Sequence, residues 1–351
     1  MTDIFDDLAT LEKITSVEQL EELLSRPTPG VIETMKRLDG DLMLLGACGK
    51  IGPTLTRMAK RASDEAGVKR RIIAVDRPTT SDVKDWFDRQ NIELLPCDML
   101  DREQLARLPE VPNIVYMAAM KFGATNQEPL TWAINTYLPG LACERFRNSR
   151  IVAYSTGNVY PFSPADSGGS AEGELLEPVG DYAMSCLGRE RMFDHFSRAL
   201  EMPVCLLRLN YAHELRYGIM VDLAQKIMAG QPIDVTMGYF NAIWQGDANA
   251  MALRALEHTA VPARPINLAG PDTLSVRRVA QQLADLLDRP ITFTGQEAPN
   301  ALLSDGRAGY ELLGRPRVVP EQMIRWIAHW QLQGGPVLGK PTKFQVRDGK
   351  F

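Results

Sequence analysis

The 351-residue chain is long enough for one large α/β domain and a smaller lobe, and its 45% hydrophobic and 24% charged residues are typical of globular proteins. Its net charge of −5 argues against a surface that binds nucleic acid or an anionic membrane, and no apolar run has transmembrane length. The five scattered cysteines and four histidines show no metal-ligand spacing, so we expect a reduced, cytoplasmic protein without a metal site.

Residues 1–40 precede the first predicted strand. The sequence Ser16-Val-Glu-Gln19 has the form of a capping box and predicts a short helix to about Ser25, and residues 31–38 predict a second helix. No residue type in this region suggests chemistry. We therefore predict an N-terminal helical extension that packs either on the core of its own chain or on a partner subunit.

A strand, a glycine-rich turn and a helix are predicted next, over residues 41–62. The apolar run Leu42–Leu45 leads directly into GACGKIG at positions 46–52. In such a turn one glycine permits the bend, one lets the backbone approach a pyrophosphate and one lets the helix pack on the strand. The start of the helix then offers free N–H groups to the phosphates. The pattern predicts a dinucleotide site, with a purely structural glycine turn as the alternative.

An acidic residue ends the second predicted strand, which covers residues 71–76. Asp76 follows Gly52 by 24 positions, near the spacing of a carboxylate that hydrogen-bonds the adenosine ribose. Its charge would repel a 2′-phosphate, so we expect NAD rather than NADP. The adjacent Arg77 moderates that preference.

Strands and helices are predicted to alternate from Asp41 to about Pro161, which predicts a doubly wound parallel sheet of the Rossmann type. The fold class is therefore α/β. We assign residues 41–205 to the nucleotide-binding domain and residues 206–335 mostly to a smaller C-terminal substrate-binding lobe, with segments that return to the sheet. The remaining tail, residues 336–351, is rich in Gly, Pro and Lys, and we expect it to lie across the surface.

Short segments spread along the chain carry a further signal when they are taken in order. They are GACGKIG (46–52), Asp76, CDML (97–100), YMAAMK (116–121), INTYLPG (134–140), STGNVYP (155–161), DYAMSCLGRE (181–190), LRLNY (207–211), IWQGDANA (243–250) and PINLAGPD (265–272). The ordered set, over about residues 41–335, resembles the extended short-chain dehydrogenase/reductase family of NAD-dependent sugar epimerases and dehydratases.

The resemblance implies NAD as the cofactor and a set of cofactor-binding positions on the glycine turn, at strand ends and on the central helices. These positions are Gly46, Gly49, Lys50, Ile51, Gly52, Asp76, Arg77, Asp98, Met99, Ala118, Ala119, Lys121, Asn135 and Tyr182. In this set Asp98 would lie against the adenine, and Asn135 would stabilise the central sheet.

The catalytic positions that the resemblance implies depart from the family in one place. Thr156 matches the hydroxyl that polarises the substrate, and Tyr182 matches the general acid/base. The family reads Tyr-x-x-x-Lys, whereas this chain has Cys186 at the lysine position, on the helix face of Tyr182. A thiol cannot supply the positive charge that lowers the tyrosine pKa. Either catalysis is impaired or another cation replaces the lysine, with Lys121 as the first candidate and Arg189 as the second.

Substrate-binding positions are expected after strand ends and in the polar segment 211–217. They are Asn158, Asn210, His213, Arg216, Tyr217 and Trp244. The segment either lines the substrate pocket or forms a polar loop, and both readings stay open. Residues 210–234 lack the longer insertion that holds the nucleotide in the family's nucleotide-sugar enzymes, which makes a non-nucleotide sugar, a sugar acid or a polyol a candidate substrate.

The sequence therefore predicts an NAD-dependent enzyme that transfers a hydride at a carbinol of a sugar-like substrate, by epimerisation, dehydration or dehydrogenation. The alternatives are a non-catalytic or weakly active NAD-binding protein that has lost the lysine, and a structural family member that assembles through its N-terminal arm. Relatives commonly dimerise through two long helices, here predicted at 128–148 and 181–200, so we expect a homodimer.

Overall fold

The computed structural model describes residues 7–77, 80–121 and 126–350. The helices are α1 (Asp7–Thr10), α2 (Val17–Leu24), α3 (Pro29–Arg37), α4 (Gly52–Glu65), α5 (Ser81–Arg89), α6 (Arg102–Arg107), α7 (Glu128–Trp132), α8 (Leu138–Arg145), α9 (Gly180–Leu200), α10 (Ile219–Met228), α11 (Gln245–Arg254), α12 (Val276–Leu287), α13 (Arg307–Leu313) and α14 (Pro320–Leu332). The strands are β1 (Leu42–Leu45), β2 (Ile72–Asp76), β3 (Glu93–Pro96), β4 (Asn113–Tyr116), β5 (Arg150–Thr156), β6 (Ser163–Pro164), β7 (Val204–Leu209), β8 (Ala212–His213), β9 (Ile233–Asp234), β10 (Tyr239–Phe240), β11 (Ile243–Trp244), β12 (Arg264–Leu268), β13 (Leu274–Ser275), β14 (Phe293–Thr294) and β15 (Asn300–Ala301). A π-helical turn, Ala133–Tyr137, joins α7 to α8, and 3₁₀ turns follow β5 (Gly157–Val159) and α11 (Ala255–His258).

Seven parallel strands form the central sheet, in the order β12-β7-β5-β4-β1-β2-β3. Strand β1 pairs with β2 on one side and with β4 on the other, so the direction of winding reverses at β1. Ligands of doubly wound sheets bind beyond the carboxyl ends of the strands at such a reversal. The predicted Rossmann-type α/β fold is confirmed, and its glycine turn lies at this point.

The alternation of buried side chains along β1 explains why the sheet is covered on both faces. Leu42 and Leu44 belong to the core beneath α3 and α4, whereas Met43 and Leu45 belong to the core on the opposite face. All four side chains are fully buried, as expected for a parallel sheet between two helical layers. The carboxyl end of β1 is therefore fixed from both sides.

The N-terminal extension packs on the core of its own chain. The Ser16 side chain accepts a hydrogen bond from Gln19 N and caps α2, and Thr28 caps α3 in the same way. The two helices pack against α4 and α11, which holds the helix of the glycine turn in place.

The smaller lobe has a hydrophobic core of its own, formed mainly by α10, α12 and α14. The fully buried Trp244 and Trp326 lie at its centre, with ring centroids 5.3 Å apart in an edge-on arrangement. Pairs of two-residue strands, such as β8 with β11, connect this lobe to the carboxyl edge of the central sheet.

Two elements differ from the sequence-based expectation. The helix predicted over 128–148 ends at Arg145 and contains the π-helical turn. The tail was expected to lie across the surface, but Thr342 and Phe344 are buried. The free energy gained by burying Phe344 and the hydrogen bonds of Thr342 explain this difference. A composition rich in Gly, Pro and Lys reveals neither contribution.

Across the described ranges, none of the helices is long and apolar enough to span a membrane. The same residues contain no group of three or more His, Cys, Asp or Glu side chains that could hold a metal ion.

Candidate active site

The three glycines of the turn have different surroundings. Gly46 has a φ of +86°, and a Cβ there would lie 2.6 Å from Ala118 N at the end of the neighbouring strand. A Cβ at Gly52 would collide with the Ala47 carbonyl oxygen. By contrast, a Cβ at Gly49 would meet only Gly46 O, at 3.6 Å, an ordinary contact. Gly46 and Gly52 therefore serve close packing, whereas the space above Gly49 is open to a ligand.

The carboxylate of Asp76 is held against this turn. Its Oδ2 accepts a hydrogen bond from Cys48 N at 2.7 Å, and its Oδ1 accepts one from Arg77 N at 2.8 Å. The Cys48 thiol stays neutral, because burial and the neighbouring Asp76 raise its pKa to about 12. The strand-end carboxylate is thus fixed beside the open turn, where ribose hydroxyls would find an acceptor.

Helix α4 begins at the third glycine of the turn. Pro53 occupies its first turn, and no side chain caps its start within the described structure. Its 14 residues direct the positive end of the helix dipole at the space above Gly49. An open backbone turn, an uncapped helix start and a fixed carboxylate together fit a dinucleotide such as NAD.

Four other predicted cofactor positions lie in the turn itself or shortly after strands β3 and β4. Asp98 follows β3, and its Oδ1 accepts a hydrogen bond from Leu100 N at 3.1 Å. Met99 is buried in the core below, Ile51 packs partly buried at the start of α4, and Ala119 is exposed. All lie at or near the carboxyl edge of the sheet.

Asn135 links the end of β4 to α9 from the π-helical turn. Its fully buried Oδ1 accepts hydrogen bonds from Met120 N at 2.8 Å and from Arg189 Nη2 at 2.8 Å. Its Nδ2 donates to Met120 O and to Ser185 Oγ, each at 3.0 Å. Because Met120 directly precedes Lys121, these bonds also position that lysine.

The proposed catalytic hydroxyls meet at the start of α9. Thr156 ends β5, and its Oγ1 donates to Asn158 Oδ1 at 3.0 Å and accepts from Asn158 N at 3.2 Å. Tyr182 forms side-chain hydrogen bonds with Cys186, which raises its pKa, and with Thr156, which lowers it. The structure thus brings together Thr156, Tyr182 and Cys186, which the sequence places on two separate elements.

Glu190 on α9 connects this helix to β5 through a hydrogen bond and to β7 through a buried ion pair. Arg208 Nη2 on β7 lies 2.7 Å from Glu190 Oε2 on α9, and both side chains are almost completely buried. Ser155 Oγ donates to Glu190 Oε1 at 2.5 Å. Since Ser155 precedes Thr156 on β5, Glu190 fixes α9 relative to the end of that strand.

The local environment makes Tyr182 a weak acid. Burial, with a smaller contribution from Cys186, raises its pKa well above the ordinary value, while Arg189 and the hydrogen bond between Tyr182 and Thr156 act in the opposite direction. Burial also raises the pKa of the Cys186 thiol. The phenol and the thiol are therefore both neutral at neutral pH.

Two cations lie near this pair. Lys121 Nζ is 5.8 Å from the centre of the Tyr182 ring, and burial lowers its pKa to about 8, against the influence of Cys186 and Asp222. Arg189 is buried and donates from Nη1 to Tyr154 O at 2.9 Å and from Nη2 to Asn135. Arg189 has a structural task, so Lys121 is the better candidate for interaction with a reacting group.

Lys50, from the glycine turn, reaches across to the smaller lobe. Its Nζ donates to Ala212 O at 3.3 Å and lies 3.4 Å above the centre of the Tyr217 ring. Burial lowers the pKa of Lys50 to about 7, although Glu214 acts in the opposite direction. Glu214 is itself buried and paired with Arg216 at 3.0 Å. The predicted substrate positions Arg216 and Tyr217 thus form the junction between turn and lobe.

Two predicted substrate positions lie in the core instead. His213 is fully buried, with Nδ1 bonded to Tyr211 O at 2.8 Å and Nε2 accepting from Met220 N at 3.3 Å. Burial lowers its pKa to about 4, so the ring is neutral. Trp244 packs on Trp326. Neither side chain reaches the cavity, because both are taken up by packing or internal hydrogen bonds.

A partly open cavity with an enclosed volume of only about 20 Å³ lies on the side of Asn158, the hydrogen-bond partner of Thr156. Its lining residues are Asn158, Tyr160, Phe162, Val179, Tyr211, Met237, Leu302, Phe344, Val346, Arg347 and Gly349. Of the predicted substrate positions, Asn158 lines it, while the buried Asn210 lies behind and donates to Asn241 Oδ1 and Ser304 Oγ, each at 3.3 Å. The enclosed part of the cavity has room for about one water molecule.

Sequence reasoning missed most of this lining. Tyr160 and Tyr211 belong to family-like segments, and Tyr211 has a φ of +46°, a conformation that a bulky side chain rarely adopts. The tail residues Phe344 and Arg347 carry no local signal of a binding site. Only the fold brings them to Asn158.

The sequence also matches a family model, the NAD dependent epimerase/dehydratase family, over residues 42–236. This range covers more than half of the chain and contains the glycine turn, Asp76, Thr156 and Tyr182. The chain belongs to this family. The resemblance inferred from the sequence is therefore confirmed, and with it NAD as the family's cofactor.

Solved structures of enzymes with this fold are similar to the chain along most of its length. UDP-glucuronic acid 4-epimerase from Bacillus cereus, in complex with NAD and a fluorinated UDP-glucuronic acid, shows 16% identity and a TM-score of 0.68, over 84% of this chain and 99% of that one. The dTDP-glucose 4,6-dehydratase DesIV from Streptomyces venezuelae, with NAD bound, shows 20% identity and a TM-score of 0.70, over 83% and 96%. UDP-glucose 4-epimerase from Thermotoga maritima, with UDP-glucose, shows 15% and 0.67, over 84% and 99%. At such low sequence identities, the structural similarity establishes the fold alone.

No curated protein sequence matches the chain.

Proposed function

We propose that this protein binds NAD at the glycine turn and transfers a hydride at a carbinol of a sugar-derived substrate in the adjoining cavity. The observation that supports the proposal is the hydrogen bond between the side chains of Tyr182 and Thr156, the residue that ends β5. Family membership supports the same chemistry. Epimerisation, dehydration and simple dehydrogenation all begin with this transfer.

The residues at the turn fit NAD. The open space above Gly49 and the uncapped start of α4 would take the pyrophosphate, and Asp76 would accept hydrogen bonds from the adenosine ribose. The bound cofactor supplies the hydride acceptor. Lys50 extends from the same turn and adds positive charge between the cofactor site and the lobe.

At the reacting carbinol the chain supplies proton transfer. Thr156, held by Asn158, would orient the substrate hydroxyl, and Tyr182, as the phenolate, would take the hydroxyl proton while the hydride passes to the bound cofactor. A phenolate in this buried site needs a nearby positive charge, and Cys186 cannot provide one. We assign that task to Lys121, whose ammonium group lies on the side of the Tyr182 ring.

Cys186 supports one rival function, a non-catalytic NAD-binding protein. In that case Thr156 and Tyr182 would be remnants of an active ancestor. The presence of Lys121 beside the tyrosine favours the enzyme, because a protein without chemistry has no need to bury a lysine there.

The first test is to denature purified protein and quantify the nicotinamide nucleotide that is released. Near-stoichiometric NAD supports a self-contained epimerase- or dehydratase-like cycle. If none is released, binding of added NAD is measured, and no binding at all overturns the proposal.

Hydride transfer is then followed by NADH absorbance or fluorescence with a panel of sugars, sugar acids and polyols. Tyr182→Phe should abolish the signal and retain NAD. Tyr137→Phe, on the exposed face of the π-helical turn, is the matched control and should keep full activity. Equal activity of the Tyr182 variant would contradict the assigned role.

We also propose that two copies associate through α7 and α9. Apolar side chains are exposed on this face, among them Trp132, Tyr137 at 49% and Met184 at 48%. Light scattering tests this, and Met184→Glu should shift a dimer to monomer.

The five free cysteines support a reducing compartment such as the cytoplasm.

A further inference from the structure

The tail, residues 336–350, runs from the end of α14 across the smaller lobe towards the active site. Leu338 N donates to Arg216 O at 3.0 Å. Farther along, Thr342 N and Oγ1 both donate to Asp222 Oδ2, at 2.8 Å and 2.6 Å. Thr342 is buried, so the tail is anchored over the start of α10.

The middle of the tail is held by an aromatic anchor. Phe344 is buried, and its ring centroid lies 6.4 Å from that of Phe240 in the core of the smaller lobe. Loss of this much buried aromatic surface would be costly. The tail is therefore a fixed part of the lobe.

The end of the tail meets the helix that carries Tyr182. Gly349 and Gly180 both have positive φ angles, of +75° and +83°. A Cβ at either one would lie 2.7 Å from the Cα of the other. The tail thus bridges the smaller lobe and the first turn of α9, two residues before Tyr182.

This path makes the tail one wall of the cavity beside Thr156. Phe344, Val346, Arg347 and Gly349 line it, opposite Asn158. Among the lining residues in the described part of the chain, Arg347 is the only one with a charged side chain. The electrostatic character of the cavity therefore depends on this one guanidinium group.

Arg347 is held in place by neutral groups. Its Nη1 donates to Asn300 O at 3.0 Å and approaches Met237 Sδ at 3.4 Å, and its Nη2 donates to Asn300 Oδ1. The guanidinium carbon lies 4.2 Å from the centre of the Phe162 ring. Burial is the sole cause of its lowered pKa, and within the described ranges no carboxylate forms an ion pair with it.

A partly desolvated cation with neutral neighbours gains most from an anion that enters the cavity. A diphosphate would bring further negative charges for which this lining has no additional cation.

Resting on the proposed function, we propose that Arg347 recognises an anionic group of the substrate, and that the substrate is a sugar with a carboxylate or a phosphate and without a nucleotide. The tail is then the segment that determines specificity, while the turn, Thr156 and Tyr182 supply the chemistry.

Calorimetric titration of the full-length protein tests this with D-glucuronate, glucose 1-phosphate, D-glucose and UDP-glucose as probes. We expect one of the two anionic sugars to bind at least about tenfold more tightly than glucose, given the usual strength of charged hydrogen bonds. Glucuronate above glucose 1-phosphate identifies a carboxylate, and the reverse order identifies a phosphate. Equal binding of glucose and both anionic sugars, or tightest binding of UDP-glucose, overturns the proposal.

Variants separate recognition from folding. Arg347→Gln should remove the preference for the anionic sugar, Arg347→Lys should retain part of it, and Arg307→Gln, at an exposed ion pair outside the cavity, should leave it unchanged. Thermal unfolding verifies that each variant is folded. An unchanged preference in folded Arg347→Gln contradicts the inference.

The NAD measurement distinguishes this inference from the proposed function. Bound NAD without any preference for anionic sugars refutes recognition by Arg347 and leaves the enzyme assignment intact. An Arg347-dependent preference in a protein that does not bind NAD supports the anion site and refutes the enzyme assignment.

Discussion

Lys121 Nζ lies 5.8 Å from the centre of the Tyr182 ring, on a segment that Asn135 ties to α9. Cys186 occupies the position of the family's lysine on α9. Lys121 is therefore a cation near the proposed active-site tyrosine that comes from outside α9. We propose that Lys121, after the end of β4, adds to the positive charge of Arg189 near Tyr182.

Lys121→Met should lower activity at neutral pH about tenfold or more, because loss of the charge makes the Tyr182 phenolate harder to form and each pKa unit is worth about 1.4 kcal/mol. The pH profile of kcat/KM should move to higher pH, since the Tyr182 pKa rises further. The content of bound NAD should change little. Lys69→Met, at an exposed position, is the control, and equal pH profiles of both variants would rule out this task for Lys121.

Cys186→Lys should restore the family arrangement and move the pH profile of activity to lower pH. The position is fully buried, so the longer, charged side chain should destabilise the protein by about 1–3 kcal/mol. Cys186→Met adds bulk without charge and should cost stability without the change in pH profile. Thermal unfolding and pH–rate measurements on both variants separate the two effects.

Gly49→Ala and Gly52→Ala should affect different properties. The Cβ at Gly49 enters open space, so stability should stay within about 0.5 kcal/mol while NAD affinity falls about tenfold. The Cβ at Gly52 strikes Ala47 O, so that variant should lose about 1–3 kcal/mol of stability. Unfolding curves measure the change in stability of each variant, and titrations measure its NAD affinity. Normal NAD affinity in Gly49→Ala would contradict the placement of the cofactor at this turn.

The buried Lys50 should make stability depend on pH. Its pKa falls from 10.5 in the unfolded chain to about 7 in the folded protein. Between these values the unfolded state binds more protons, so this lysine's contribution to the free energy of unfolding rises with pH. Lys50→Met removes the free-energy cost of burying the charged form of this lysine. That cost is fully present below pH 7 and absent above pH 10.5.

The Lys50 variant should therefore be more stable than the parent protein at pH 7 by at least about 1 kcal/mol, with a smaller difference at pH 10. Urea unfolding at several pH values measures this. Lys69→Met, at an exposed position, serves as the reference. A constant difference between parent and Lys50 variant would show that the lysine is not desolvated.

The parts of the site that depend on local sequence could be predicted. Gly46, Gly49 and Gly52 follow directly on a buried strand, and Asp76 ends the next one, so short-range spacing determines their meeting. Thr156 and Tyr182 could be placed together only by the family resemblance, because nothing local joins β5 to the start of α9.

The cavity wall could not be predicted. Arg347 contacts Phe162, which lies far from it in the sequence. The burial of Phe344 and the hydrogen bonds of Thr342 hold the tail in this place, and neither residue stands out in the sequence of a polar tail. His213 was misleading for a related reason. Its partners, Tyr211 O and Met220 N, are backbone groups that no side-chain pattern reveals.

Within the described residues, the tail contributes no strand to the central sheet. If Arg347 determines the substrate preference, that preference lies in a peptide of about fifteen residues that adds no strand to the cofactor domain. Exchange of this peptide between related proteins offers a direct way to transplant a preference, provided that glycine is kept where the tail crosses Gly180.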